Sequence, residues 1–143
     1  GLQVRVLKGC VRTRQYLVYV YRESKLAAVL AQEGVQNFLR QEGYHLPETG
    51  VPEVGNLLAQ LSRQLCCSAD FPHEIGIFLG YPLKDVVGFI ENRGQNFTCC
   101  GCWKAYGDPD IAKQHFAQLT KCTAVYLRLF HSGTPILRLA VAA

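Results

Sequence analysis

The chain has 143 residues, 49% of them apolar, and a formal net charge of +4, a balance that suits one core burying roughly two-thirds of its unfolded surface. No apolar run approaches the roughly 18 residues of a membrane span, and Gly1 to Arg5 does not form a charged leader ahead of an apolar segment. The expectation is a soluble, cytoplasmic protein with no membrane partner. Because the sequence contains no Met, not even an initiator, it reads as one domain, residues 1–143, lacking an N-terminal segment of a longer protein.

In chain order, 3–8 and 15–22 alternate like two strands of an antiparallel hairpin, turned by 9–14. The second strand carries Tyr16, Val18 and Val20 on one face and Leu17, Tyr19 and Tyr21 on the other, the two-sided apolarity of a central strand. Ser24 suits an N-cap, and Leu26, Val29 and Leu30 form a helical stripe that Gly34 interrupts before 35–42 resumes it, with Gly43 as C-cap. A polar connection over 44–52 leads into a helix over 53–65, where Leu57, Leu58, Leu61 and Leu65 share one face.

The run 75–79 reads as a buried strand stopped by Gly80, and Pro82 is preset for the first turn of a helix. That helix carries Leu83, Val86, Val87 and Ile90 and ends at Gly94. Another short strand is expected over 103–106. Asp108 and Pro109 then form an N-cap and first position for a helix buried through Ala112, His115, Phe116 and Leu119. Cys122, Val125, Tyr126 and Leu129 continue a helical stripe, although 125–130 also fits a strand. Gly133 and Pro135 break it, and 136–141 is a terminal strand or short helix. The expected fold class is α/β (α+β): a single-domain sandwich with a mixed sheet of about four or five strands and helices packed on it.

Arg5, Lys8, Arg12, Arg14 and Arg22 all precede the first acidic residue, Glu23. The favoured reading is a solvated face that keeps a sheet edge from pairing. The alternative is phosphate contact with nucleic acid through Arg5, Arg12 and Arg14.

The segment Phe71-Pro72-His73-Glu74-Ile75-Gly76-Ile77-Phe78-Leu79-Gly80-Tyr81-Pro82 concentrates most of the chemistry. On a strand His73 and Glu74 would point to opposite faces rather than act as a dyad. His73 could serve as a general base or metal ligand near neutral pH. Glu74 suits acid/base work or, with no function, a buried carboxylate paired with Lys104 or capping a helix. Gly80 ahead of Tyr81-Pro82 could present backbone N–H groups to an anion. The spacing of Gly76, Gly80 and Gly88 makes no phosphate loop, and a plain turn with close packing is preferred.

Trp103-Lys104 sets an indole beside an ammonium, a combination suited to ligand binding or simply to a strand end. Of seven cysteines, Cys99 and Cys100 are the candidate reactive thiols, with Arg93 and Lys104 near in sequence. Cys99, Cys102 and Cys122 are the candidate metal ligands, with Cys66, Cys67, His73 and His115 available to complete a zinc site. The spacing lacks a second C-x-x-C.

The blocks HEIGIFLGYPLKDVVGFIENRG, CCGCWKAYGD, an Ala-x-x-x-Phe helix and KCTAVYLRLF resemble a bacterial family catalogued as domain of unknown function 3793. LVYVYR followed by a helix and a Gly-Tyr turn extends the likeness over nearly the whole chain. Ala105 stands where the family pattern has Val, and Cys102 where it has an aromatic residue. The resemblance carries no biochemical activity with it and leaves any cofactor unknown. Two function classes therefore stand. The favoured one is a module binding a small molecule or protein in a cleft made by His73, Glu74, Tyr81, Trp103 and Lys104. The alternative is an enzyme using His73 or Glu74 with a Cys thiol or bound metal.

Overall fold

The computed structural model describes residues 1–10, 12–48 and 50–141; Val11 of the first turn and Thr49 of the polar connection lie outside the described residues. It is an α+β fold with seven helices and four strands among those residues: β1 (Leu2–Cys10), β2 (Gln15–Arg22), α1 (Glu23–Leu30), α2 (Glu33–Gln41), α3 (Val54–Cys67), α4 (Ile75–Phe78), α5 (Leu83–Glu91), β3 (Cys99–Cys100), β4 (Lys104–Ala105), α6 (Pro109–His131) and α7 (Ile136–Val141). The strands form two separate two-stranded antiparallel sheets, β1-β2 and β3-β4, in place of the single mixed sheet expected. Two compact units divide the chain, Leu2–Val86 and Val87–Ala143, and the break falls within α5.

In the first unit the hairpin opens the fold as the alternation requires. Val6 faces Val18 and Lys8 faces Leu17, so Leu7 is an extra residue on β1. The bulge turns its side chain into the core, 2% exposed, and leaves its carbonyl to accept from Ser62 Oγ on α3. Arg5 Nη1 donates to Gly55 O of the same helix at 3.0 Å. Only one face of β2 is covered: Tyr19 is buried, whereas Val18 and Val20 are exposed. β2 is therefore not the central strand that its two-sided apolarity suggested.

The stripe of α3 falls as read, with Leu57, Leu58, Leu61 and Leu65 all buried, whereas on α6 Ala112 and Phe116 are buried but His115 and Leu119, expected to be so, are exposed. Two boundaries differ. α1 starts at Glu23 with Arg22 as its N-cap and no side-chain cap bond, so Ser24 lies inside the helix. The break before α2 comes at Ala31 and Gln32, of which Gln32 has the extended backbone, ahead of Gly34. Gly43 closes α2 as expected. Its N–H reaches Arg40 O at 3.1 Å, and the N–H of Tyr44 reaches Leu39 O at 2.9 Å, the paired bonds of a Schellman ending.

The largest correction concerns 75–79, which is helix α4 and not a strand. Pro72 sits in the approach turn, and the N–H groups of Ile75, Gly76 and Ile77 bond to Pro72, His73 and Glu74 carbonyls. At the other end Gly80 has φ +80, and Gly80 N and Tyr81 N bond to Ile77 O and Gly76 O. Those are again the paired bonds of a Schellman ending, so Gly80 terminates a helix instead of turning a strand into one. A run of five apolar residues has too little length for periodicity to separate the two states.

In the second unit, β4 is shorter than the expected 103–106 strand and pairs with β3, Cys99 opposite Ala105 and Cys100 opposite Lys104. Asp108 caps α6, its carboxylate accepting from Asp110 N at 2.8 Å and Ile111 N at 3.3 Å, with Pro109 following. α6 runs unbroken for 23 residues, which makes 125–130 helical, and 136–141 is helix α7. Ala112 and Phe116 of α6 cluster with Ala105 of β4. No described helix is long and apolar enough to cross a membrane.

Candidate functional site

Helical geometry at 72–80 changes what His73 and Glu74 can do. Glu74 is the N-cap residue of α4, yet its carboxylate makes no cap bond. It is 3% exposed, and Tyr44 Oη donates to its Oε1 at 3.0 Å. Burial holds the Glu74 carboxyl above its ordinary pKa, against the opposing pull of bonds to its own backbone and from Tyr44. The phenol of Tyr44 is likewise raised, by burial first and then by the Glu74 charge. Tyr44 also lies 5.9 Å, ring to ring, from Phe78 of α4. This pair ties the segment after α2 to α4 by a hydrogen bond and a ring contact. His73 is exposed with its ring 5.5 Å from Phe71, so one of the two side chains is in and the other out, as a strand would also have arranged. Tyr81 is half-buried and covers Gly76, where an added Cβ would lie 3.2 Å from the Tyr81 ring and 2.8 Å from Val86 Cγ2.

Beside this segment lies a cleft of about 250 Å³ lined by residues 19–22 of β2, Lys25, Leu26 and Val29 of α1, and 77–80 of α4 and its end. β2 and α4 are joined across it by Tyr19 Oη donating to Phe78 O. Burial pushes the Tyr19 phenol up to about 12, so it stays a donor throughout the physiological range. Tyr19 and Tyr21, two apart on one strand face, stack at 5.0 Å and 11°. Arg22 and Lys25 bring two cations to an otherwise apolar lining. None of the five ligand residues expected from sequence, His73, Glu74, Tyr81, Trp103 and Lys104, lines this cleft. The available signal was Tyr-x-Tyr followed by a basic residue where a strand runs into a helix.

In the second unit Trp103 and Lys104 are both engaged. The Trp103 ring packs edge-on to Phe116 at 4.6 Å and 81°. Lys104 Nζ donates to Gly94 O at 2.8 Å and stands 5.0 Å from the Phe97 ring centre. Neither of the partners considered in sequence for the Glu74 and Lys104 charges is the one each takes: Glu74 binds Tyr44 and Lys104 binds a carbonyl. The seven cysteines are all free thiols. Cys99 is half-buried against the Ala105 cluster, while Cys100, Cys102 and Cys122 are exposed. Among the described residues no group of three or more His, Cys, Asp and Glu could hold a metal, so Cys99, Cys102 and Cys122 are not brought together as ligands. One thiol, Cys10 at the end of β1, has a lowered pKa. Hydrogen bonds from Thr13 lower its pKa, with Lys8 adding a smaller attraction. Of the basic residues at the start of the chain, Arg5 is turned to Gly55 O, whereas Arg12 and Arg14 are exposed.

Residues 1–140 match the family model described as Protein of unknown function (DUF3793). The chain belongs to this family. No curated protein and no solved structure matches the DUF3793 chain. Its HEIG block is thus a helix start that buries one carboxylate, and its C-x-x-C step is strand β3 running into the turn of the β3-β4 hairpin. Chemically, the DUF3793 cleft offers a lining of aromatic and aliphatic side chains, two cations at its edge and a neutral phenol bound to backbone. That set can hold an anion with an apolar body.

Proposed function

We propose that this protein is a small-ligand-binding module whose cleft, beside the HEIG segment, takes a compact organic anion. The observation that carries the reading is the lining of the cleft by Arg22 and Lys25 together with Leu26, Val29, Ile77 and Phe78. A pocket usually combines such an apolar lining with a few placed polar groups. At about 250 Å³ it falls below the roughly 300–1,000 Å³ of drug-sized sites, which favours a monocyclic or short-chain carboxylate over a nucleotide. The enzyme reading with His73 or Glu74 has less behind it, since Glu74 is sealed from solvent and held by Tyr44.

Calorimetric titration with benzoate and with its uncharged amide tests the proposal. Because a hydrogen bond to a charged group contributes about 1.5–3 kcal/mol, benzoate should bind at least about tenfold more tightly than benzamide. Lys25→Gln should remove most of that difference. Equal affinity for the two compounds, or no binding of either, would overturn it.

A further inference from the structure

Independently of the cleft, we propose that the end of α6 and α7 form a self-association surface that pairs with the same surface on a second copy of this chain. One face of α6 begins in the core with Ala112 and Phe116, 6% and 8% exposed, and continues into Leu119, Tyr126 and Phe130, which are 46%, 40% and 49% exposed. Past the β3-β4 hairpin α7 packs against α6, and the two helices leave a shallow groove of about 370 Å³ lined by Leu119, Cys122, Tyr126, Leu127, Phe130 and Leu139 among others. Leu119, Cys122, Tyr126 and Leu129 follow one another at intervals of three, four and three, the spacing by which one helix seats against another in a left-handed pair.

Charge selects the occupant. No Asp or Glu follows Asp110, and the basic residues beyond it are Lys113, Lys121, Arg128 and Arg138. At about 100° per residue Lys121 and Arg128 lie roughly opposite Leu119 on α6. The seam therefore carries no charge to draw in an acidic partner. The cations stay on the far sides when two copies meet, so like-charge repulsion across the seam is small. The area also suffices. The exposed parts of Leu119, Tyr126, Leu127, Leu129 and Phe130, with Ile136 at 65%, amount to something on the order of 600 Å², the lower end of what each partner gives to a specific interface.

Light scattering after size-exclusion chromatography, on the whole chain at micromolar concentration, should give the mass of two chains. Leu119→Glu and, as a milder change, Tyr126→Ser should each raise the dimer dissociation constant at least tenfold while leaving the circular dichroism spectrum unchanged. A control at the hairpin, Val18→Glu, should leave the dimer intact. A monomer at every concentration would overturn the proposal, as would a dimer that survives both α6 variants or that is lost only in Val18→Glu. A monomer that instead sediments with phosphatidylserine vesicles would assign the face to a bilayer and overturn it equally.

Discussion

At the scale of single residues the most consequential group is the Glu74 carboxyl. Its pKa is raised because burial penalises the charged form, so the folded state holds its proton to higher pH than the unfolded chain does. Stability from this group is complete below the ordinary glutamate range and is lost as pH rises through the elevated folded value. Glu74→Gln keeps an oxygen for the Tyr44 hydroxyl and cannot ionise. The melting temperature of the variant should match the wild type at acid pH and equal or exceed it at neutral pH. A deficit that is present at neutral pH and shrinks towards acid pH would mean that Glu74 is held as a stabilised anion. Tyr44→Phe acts in the opposite direction, leaving a buried acceptor without its donor at a cost of about 1–3 kcal/mol in denaturant unfolding. A buried Glu74 carboxylate was among the sequence readings, but its partner was not: Lys104 or a helix cap was considered, and Tyr44 read as a loop residue. The contact joins positions 30 apart in the chain, and no local pattern encodes it.

Elements with caps and long periodic faces were legible, and short ones were not. The four leucines of α3, the Asp108-Pro109 start of α6 and the Gly43 end of α2 each combine a local chemical signal with enough length to reveal a period. α4 has four residues, and its apolar run mimics a strand. Its punctuation was nonetheless present: Pro72 before it, and Gly80 with Pro82 after it. The same glycines now give separable predictions. Gly80 has φ +80 and open space where a Cβ would go, so Gly80→Ala should cost about 1–2 kcal/mol through the backbone alone. Gly80→Asn should recover part of that. Gly76→Ala places a Cβ 2.8 Å from Val86 Cγ2 and should cost about 1–3 kcal/mol through overpacking, which Val86→Ala in the same chain would relieve. If Gly80→Ala proves neutral in chemical denaturation, the Schellman ending of α4 is wrong.

On the scale of the whole molecule, charge is distributed in a way that composition alone conceals. All 11 acidic residues lie between Glu23 and Asp110, while the hairpin before them and the long helix after them are basic and carry exposed apolar faces. The α+β class and the opening hairpin followed from the alternation of apolar positions. The number of sheets did not, because each two-stranded ribbon has the local pattern of a strand within a larger sheet. The cleft was equally hidden, since 19–29 and 77–80 come together only through tertiary packing. The cleft lies beside the HEIG block but is lined by side chains other than His73, Glu74, Tyr81, Trp103 and Lys104. Tyr19, Arg22 and Lys25 carry the reading now.

Mapping benzoate onto the ¹⁵N-labelled chain by amide chemical shifts tests the central claim most directly. Saturable shifts concentrated at 19–29 and 77–80, and abolished when Val29→Trp fills the cleft, are the predicted result. Shifts centred on His73, Trp103 and Lys104, or scattered without saturation, would contradict it.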